Sequence, residues 1–187
     1  MIEIEVKARV NDPKYLERSI IQLGATPIEI ENQADTYYSA PYRDFEETDE
    51  ALRIRVQDGK SFLTYKGPKM DRISKTRKEI ELEIVDVNAM GNILTSLGFL
   101  PVAIVTKKRK NFRIGDFFIA LDEVNDLGNF IEIEISVKDS VYFEEKVETV
   151  FRLFEKLGIK RDSSIRKSYL EMILEKHQNE DRSSLVE

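Results

Sequence analysis

Three short segments of this chain alternate carboxylates with aliphatic residues at a strict period of two: "EIEVK" from position 3, "EIELEI" from 79 and "EIEIS" from 132. In an extended strand, residues i and i+2 share a face. Glu3, Glu5 and Lys7 therefore point one way, and Ile2, Ile4 and Val6 the other. A single strand of this kind is ordinarily half of a sheet whose charges lie in water. Repetition makes it a constraint on the fold. Glu79, Glu81 and Glu83 share a face, Glu132 and Glu134 share another, and Asp122 stands in "IALDEV". Like charges on neighbouring strands repel, so a sheet that gathers these segments must gather cations as well.

The cations are present: Arg53 and Arg55 in "ALRIRV", Lys66 in "LTYKGP", Arg77 ahead of the second acidic strand, and Lys107 and Arg109 in "TKKRKNF". All but Lys66 belong to an i, i+2 pattern. Alternation marks strands at 2–9, 79–86, 103–113, 117–123 and 129–138, with weaker ones at 34–40, 51–57 and 61–66. Helical spacing marks 12–23, 88–97, 143–157 and 166–176. The class is α+β, with about eight strands. Gly24, Gly98 and Gly158 follow three of these helices and read as C-caps. Residues 67–77, which include Gly67 and Pro68, read as a loop. The arrangement that reconciles these patterns is a sheet curled into a closed barrel, charged side chains inside and apolar ones outside beneath the four helices.

The 187 residues suit one domain, placed at 1–177, with a polar tail at 178–187 that is expected to be flexible. The net charge of -6 is the wrong sign for coating nucleic acid. "KKRK" at 107–110 is no exception, because alternation sends Lys107 and Arg109 to one face and Lys108 and Lys110 to the other. No apolar run approaches the roughly 20 residues that span a bilayer, and the first strand is acidic, which points to a cytoplasmic protein without a membrane partner. There are no cysteines, and the one histidine, His177, is expected on a helix surface. Thiolate chemistry, cysteine zinc sites and a histidine base are thereby excluded.

What remains is carboxylates, lysine, arginine and a metal that prefers oxygen. Clustered carboxylates suit Mg²⁺ or Mn²⁺, which keep waters and substrate phosphates in their shells. Facing lysines and arginines suit a polyphosphate, with arginine offering bidentate contacts. The implied ligand is a metal-bound triphosphate.

These residues resemble a known family. "EIEVK" is similar to the ExExK signature of the CYTH superfamily, the triphosphate tunnel metalloenzymes, which include class IV adenylyl cyclases and thiamine triphosphatases. The resemblance continues in order through "ADTYY", "ALRIR", "FLTYKGP", "TRKEIELE", "KKRKNF", "LDEVNDLGNFIEIE" and "SYLEMIL", covering about residues 1–173. It implies an eight-stranded antiparallel tunnel. Metal-holding positions match Glu3, Glu5, Glu81, Asp122, Glu132 and Glu134, with Glu79 added on parity. Phosphate-binding and catalytic positions match Lys7, Arg53, Arg55, Lys66, Lys107 and Arg109, with Arg77 added to the substrate-binding set. The aromatic residues of "DTYY" are expected to pack within the strand. "FLTYKGP" and "LDEVNDLGNFIEIE" are most similar to the class IV cyclase branch, which implies conversion of ATP to cyclic AMP and pyrophosphate. A triphosphatase acting on thiamine triphosphate, tripolyphosphate or a nucleoside triphosphate is the alternative, and a noncatalytic polyphosphate-binding module is a second. A homodimer stays open.

Overall fold

The computed structural model describes the backbone of residues 2–69, 77–137 and 143–184, and the side chains of residues 4–68, 78–136 and 144–180. Strands β1 (Ile2–Arg9), β2 (Thr26–Ser39), β3 (Ala51–Gln57), β4 (Lys60–Lys69), β5 (Arg77–Glu83), β6 (Leu100–Ile114), β7 (Phe117–Val124) and β8 (Gly128–Val137) form one sheet. Helices α1 (Pro13–Gln22), α2 (Val87–Ser96), α3 (Phe143–Lys156) and α4 (Tyr169–Ser184) complete the fold.

Local chemistry accounts for the helix boundaries. The Asp12 carboxylate accepts the Tyr15 N–H at 2.9 Å ahead of Pro13, and Asp86 accepts the Ala89 N–H at 2.9 Å. Gly24, Gly98 and Gly158 end α1, α2 and α3 with φ of +92°, +89° and +76°, the left-handed cap that their positions imply. The fourth helix runs beyond the apolar spacing of 166–176, through the polar residues up to Ser184. Likewise β2 begins at Thr26, eight residues before the weak pattern at 34–40, because Ile28 and Ile30 alternate there but stand exposed. Gly67 and Pro68 lie in β4, beside a bulge between Lys66 and Lys69. The rest of the expected loop, 70–76, and the end of the tail, 185–187, lie outside the described residues.

The sheet is antiparallel throughout, in the order β1-β8-β7-β6-β2-β3-β4-β5. Its hydrogen-bonded ladder has two edges, β1 and β5, and no pairing joins them among the described residues. This is an eight-stranded sheet, where the sequence suggested a closed barrel. One physical reason lies on the β1 edge. The Ile165 N–H donates to the Lys7 carbonyl at 2.7 Å, so the connection between α3 and α4 occupies a backbone site that a closing strand would need.

The two faces of the sheet differ sharply. Ile4, Val6, Ile119, Ile131 and Ile133 pack against Leu16 and Ile20 of α1 and Val150 and Phe154 of α3. Leu52 and Ile54 pack against Leu94 of α2. The fourth helix breaks the expected plan of all helices outside. Its Tyr169, Met172 and Ile173 pack on Val105, Val124 and Phe130. Cross-strand pairing places those three beside Asp35, Lys107 and Asp122, on the charged face. The apolar positions 105, 124 and 130 interrupt the charge pattern there and give α4 a surface to bury.

A charged candidate site across the sheet

Register decides which charges meet. Lys7 opposes Glu132 and Glu5 opposes Glu134 across β1 and β8. Arg109 opposes Asp122 across β6 and β7, and Asp35 opposes Arg55 across β2 and β3. Arg53 opposes Thr64, which opposes Glu81, and Lys66 opposes Glu79. Directly opposed residues share a face, so the described positions among the expected site residues form one continuous oblique belt. Of that set, the side chains of Glu3 and Arg77 lie outside the described residues.

Much of the belt is buried. Lys7, Asp122, Asp35, Arg53 and Thr64 range from 0 to 8% exposed. Helix α4 packs on this face over Val105, Val124 and Phe130 of β6, β7 and β8.

Two networks order the belt. Asp35 accepts from Arg55 Nε and Nη2 at 2.6 Å each and from Arg53 Nη1 at 3.2 Å. Burial pushes the Asp35 carboxyl up, but the Arg55 hydrogen bonds and the Arg53 and Arg55 charges prevail and hold it below the usual range. In the second network, Asp122 accepts from Arg109 Nε at 2.7 Å and Nη2 at 2.6 Å, and from the Tyr169 hydroxyl at 2.8 Å. Lys107 Nζ lies 3.5 Å from Asp122, and Arg109 also binds Glu132. Glu132 in turn pairs with Lys7 at 3.1 Å. Lys7 and Lys107 sit 4.0 and 5.1 Å from the Tyr169 ring centre.

The electrostatic cost falls on Lys107. Burial, with Arg109 beside it, brings its ammonium down from 10.5 to about 8, only partly offset by Asp122 and Glu132. Tyr169 is pushed up, by burial first and then by Glu132 and Asp122, and stays a phenol donor. Burial opposes the charge on Arg109, yet Glu132 and Asp122 more than offset it. Among the described residues, two buried side-chain polar atoms have no hydrogen-bond partner: Arg53 Nε and Gln33 Oε1. Such groups are costly to bury unless something pairs with them.

Among the described residues, no group of three or more acidic side chains converges as a metal cage. The donor chemistry nonetheless fits a hard divalent cation, because Glu5 and Glu134 face each other as all-oxygen ligands and Glu132 follows on the same face. Asp122, expected among the metal ligands, has both oxygens on Arg109.

Several residues of this site escaped the sequence pattern. Asp35 stands ahead of the packing aromatics of "DTYY", and Glu31 and Gln33 belong to none of the three acidic repeats. All three are buried on the charged face. The spacing 31, 33, 35 was the available signal. Tyr169 carried none beyond its place in "SYLEMIL".

An antiparallel eight-stranded sheet that carries a belt of buried ion pairs across one face defines the class of protein. The CYTH domain model matches residues 1–169, and the chain belongs to that family. It is 42% identical over 172 residues to a Methanocaldococcus jannaschii protein provisionally named an adenylate cyclase, covering 92% of this chain and 98% of that one. A solved Pyrococcus horikoshii structure shares 43% identity with a TM-score of 0.84, covering 93% and 99% of the two chains. An enzyme from Hippeastrum, described with a dominant triphosphatase activity, shares the fold at 23% identity and a TM-score of 0.62, covering 84% and 89%. No helix among the described residues is long and apolar enough to cross a membrane.

Proposed function

We propose that the protein is a metal-dependent enzyme acting on a triphosphate held against the charged face, and that its reaction is the cyclisation of ATP to cyclic AMP and pyrophosphate. The observation that carries this reading is the buried guanidinium of Arg53, paired on one side with Asp35 and left with an unpartnered Nε. A phosphate oxygen is the natural acceptor for it.

In this reading Lys7, Arg53, Arg55, Lys66, Lys107 and Arg109 are the phosphate-binding and catalytic cations, with Arg77 assisting in substrate binding. Spread along the belt, they neutralise oxygens of successive phosphates as the bond to the leaving pyrophosphate breaks. Asp35 and Asp122 orient the guanidiniums through two-point contacts, which lowers the reorganisation required in the transition state. Glu3, Glu5, Glu132 and Glu134 would hold Mg²⁺ or Mn²⁺, with Glu79, Glu81 and Asp122 bordering them. The bound ion would supply Lewis-acid charge neutralisation on the phosphate oxygens. Repulsion between the carboxylates of β1 and β5 is relieved by a cation, so metal binding would favour approach of the two edges into a closed tunnel.

The name of the relative at 42% identity favours the cyclase, with hydrolysis at the γ-phosphorus as the competing reaction. The test is to incubate the protein with ATP, thiamine triphosphate or tripolyphosphate and each metal, then separate the products. Cyclic AMP and pyrophosphate from ATP are expected. Phosphate release alone would make it a triphosphatase, and absence of any product would make it a binding module.

A further inference from the structure

Gln33 is 5% exposed, and its amide is held in place from one side. Its Nε2 donates to Glu31 Oε2 at 2.6 Å and to Gln57 Oε1 at 3.1 Å. A carboxylate can only accept, so the contact with Glu31 fixes which end of the amide is which. The oxygen is the atom left over, and among the described residues it has no partner. A buried carbonyl oxygen without a donor is a standing cost to the fold.

The position of this oxygen is informative. Gln33 opposes Lys107 on β6 and Gln57 on β3, and it lies two residues from Asp35 on the same face. It therefore borders the belt cations four positions along β2 from Tyr37, and the Lys107 it opposes pairs in turn with Val124, on which α4 packs. On β2 and β3 this stretch of the face holds Glu31, Gln33 and Gln57, while α4 packs further across the same rows on Val124 and Phe130. A phosphate chain lying along Arg53, Arg55 and Lys107 would direct its organic end towards these amides.

We propose that Gln33 is a specificity-determining residue whose Oε1 accepts a hydrogen bond from an amino-substituted heterocycle on the substrate, such as the exocyclic amine of adenine. The inference rests on the triphosphate reading above and narrows it to amino-base triphosphates. Glu31 and Gln57 are positioning residues that keep the carbonyl turned towards the ligand. An inosine base presents a carbonyl oxygen where adenine has an amine, so it would set acceptor against acceptor. Inorganic tripolyphosphate would ignore Gln33 altogether.

The test compares ATP, ITP and tripolyphosphate in the presence of Mg²⁺, by thermal stabilisation and by initial rates, for the wild type and Gln33→Met. The wild type is expected to favour ATP over ITP about tenfold or more, the ratio that one hydrogen bond of about 1.4 kcal/mol yields. Gln33→Met should bring the ratio close to one while leaving the response to tripolyphosphate within about twofold. An equal ATP to ITP ratio in the two proteins overturns the assignment, as does an equal loss for tripolyphosphate and ATP. If the variant does not fold, the wild-type ratio decides, and a value near one refutes the proposal. Failure of all three ligands to stabilise the protein would refute the phosphate site itself, whereas stabilisation by tripolyphosphate without base discrimination would refute only the role of Gln33.

Discussion

Replacing Lys107 with methionine isolates the cost of burying its charge. The side chain is 6% exposed, and its ammonium titrates at about 8 in the folded protein against an ordinary value of 10.5. Between those values the unfolded chain holds a proton that the folded one has released, so stability must rise with pH across that interval. At about 1.4 kcal/mol per pH unit, the gap amounts to about 3 kcal/mol. Methionine is unbranched, of similar length and does not titrate, while Asp122 retains Arg109 and Tyr169 as partners. Urea unfolding of both proteins from pH 7 to 10.5 should therefore show the wild type gaining about 3 kcal/mol on the variant, all of it above pH 8. Tripolyphosphate should reverse the sign of the benefit. Bound beside Lys107 it favours the charged amine, so wild-type binding near pH 8.5 should take up a proton, read from calorimetry in buffers of different ionisation enthalpy. A stability difference that stays constant across this pH range would refute the burial account of Lys107, whatever the activity of the variant.

Other outcomes follow from the same geometry. Asp35→Asn neutralises the partner of two guanidiniums and should cost about 3 kcal/mol in denaturant unfolding, with tripolyphosphate restoring more stability to the variant than to the wild type. Because the Asp35 carboxyl is held below its usual value of 3.8, its contribution is present above that pH and lost as pH falls through the folded value, so acid titration of the variant should be flatter below about pH 4. Tyr169→Phe removes the 2.8 Å hydrogen bond to Asp122 but keeps the ring beneath Lys7, and should destabilise by about 2 kcal/mol with an unchanged m-value. Glu134→Ala should abolish Mg²⁺- or Mn²⁺-dependent turnover while circular dichroism and the unfolding midpoint stay close to wild type; undiminished turnover would remove Glu134 from the metal set.

The strands were legible because each segment carries its own period. Residues 2–9, 51–57 and 117–124 show both faces within a few positions, and the observed bounds match or nearly match those expected from alternation. Helix stops at Gly24, Gly98 and Gly158 were local for the same reason. What alternation could not supply was register. The pairing of Asp35 with Arg55, or of Tyr169 with Asp122, joins elements whose separation in sequence leaves no short-range trace. Likewise a period of two says which face a residue occupies and nothing about which helix covers that face. The expectation that α4 lay outside failed on this point, because Val105, Val124 and Phe130 read as ordinary core residues until pairing set them among the charges.

The path of the chain around Lys7 has a temporal consequence. Its ammonium donates to the carbonyl of Lys167, 160 residues away, and its own carbonyl receives Ile165. Strand β1 thus waits for the segment just ahead of α4 before its edge and its charge are both satisfied. Contacts of such separation slow folding, since the loop they close must be ordered first. Until then Glu5 and Lys7 belong to a charged, uncovered strand whose charges discourage pairing with other chains, and the charged face is complete only once this span has been made.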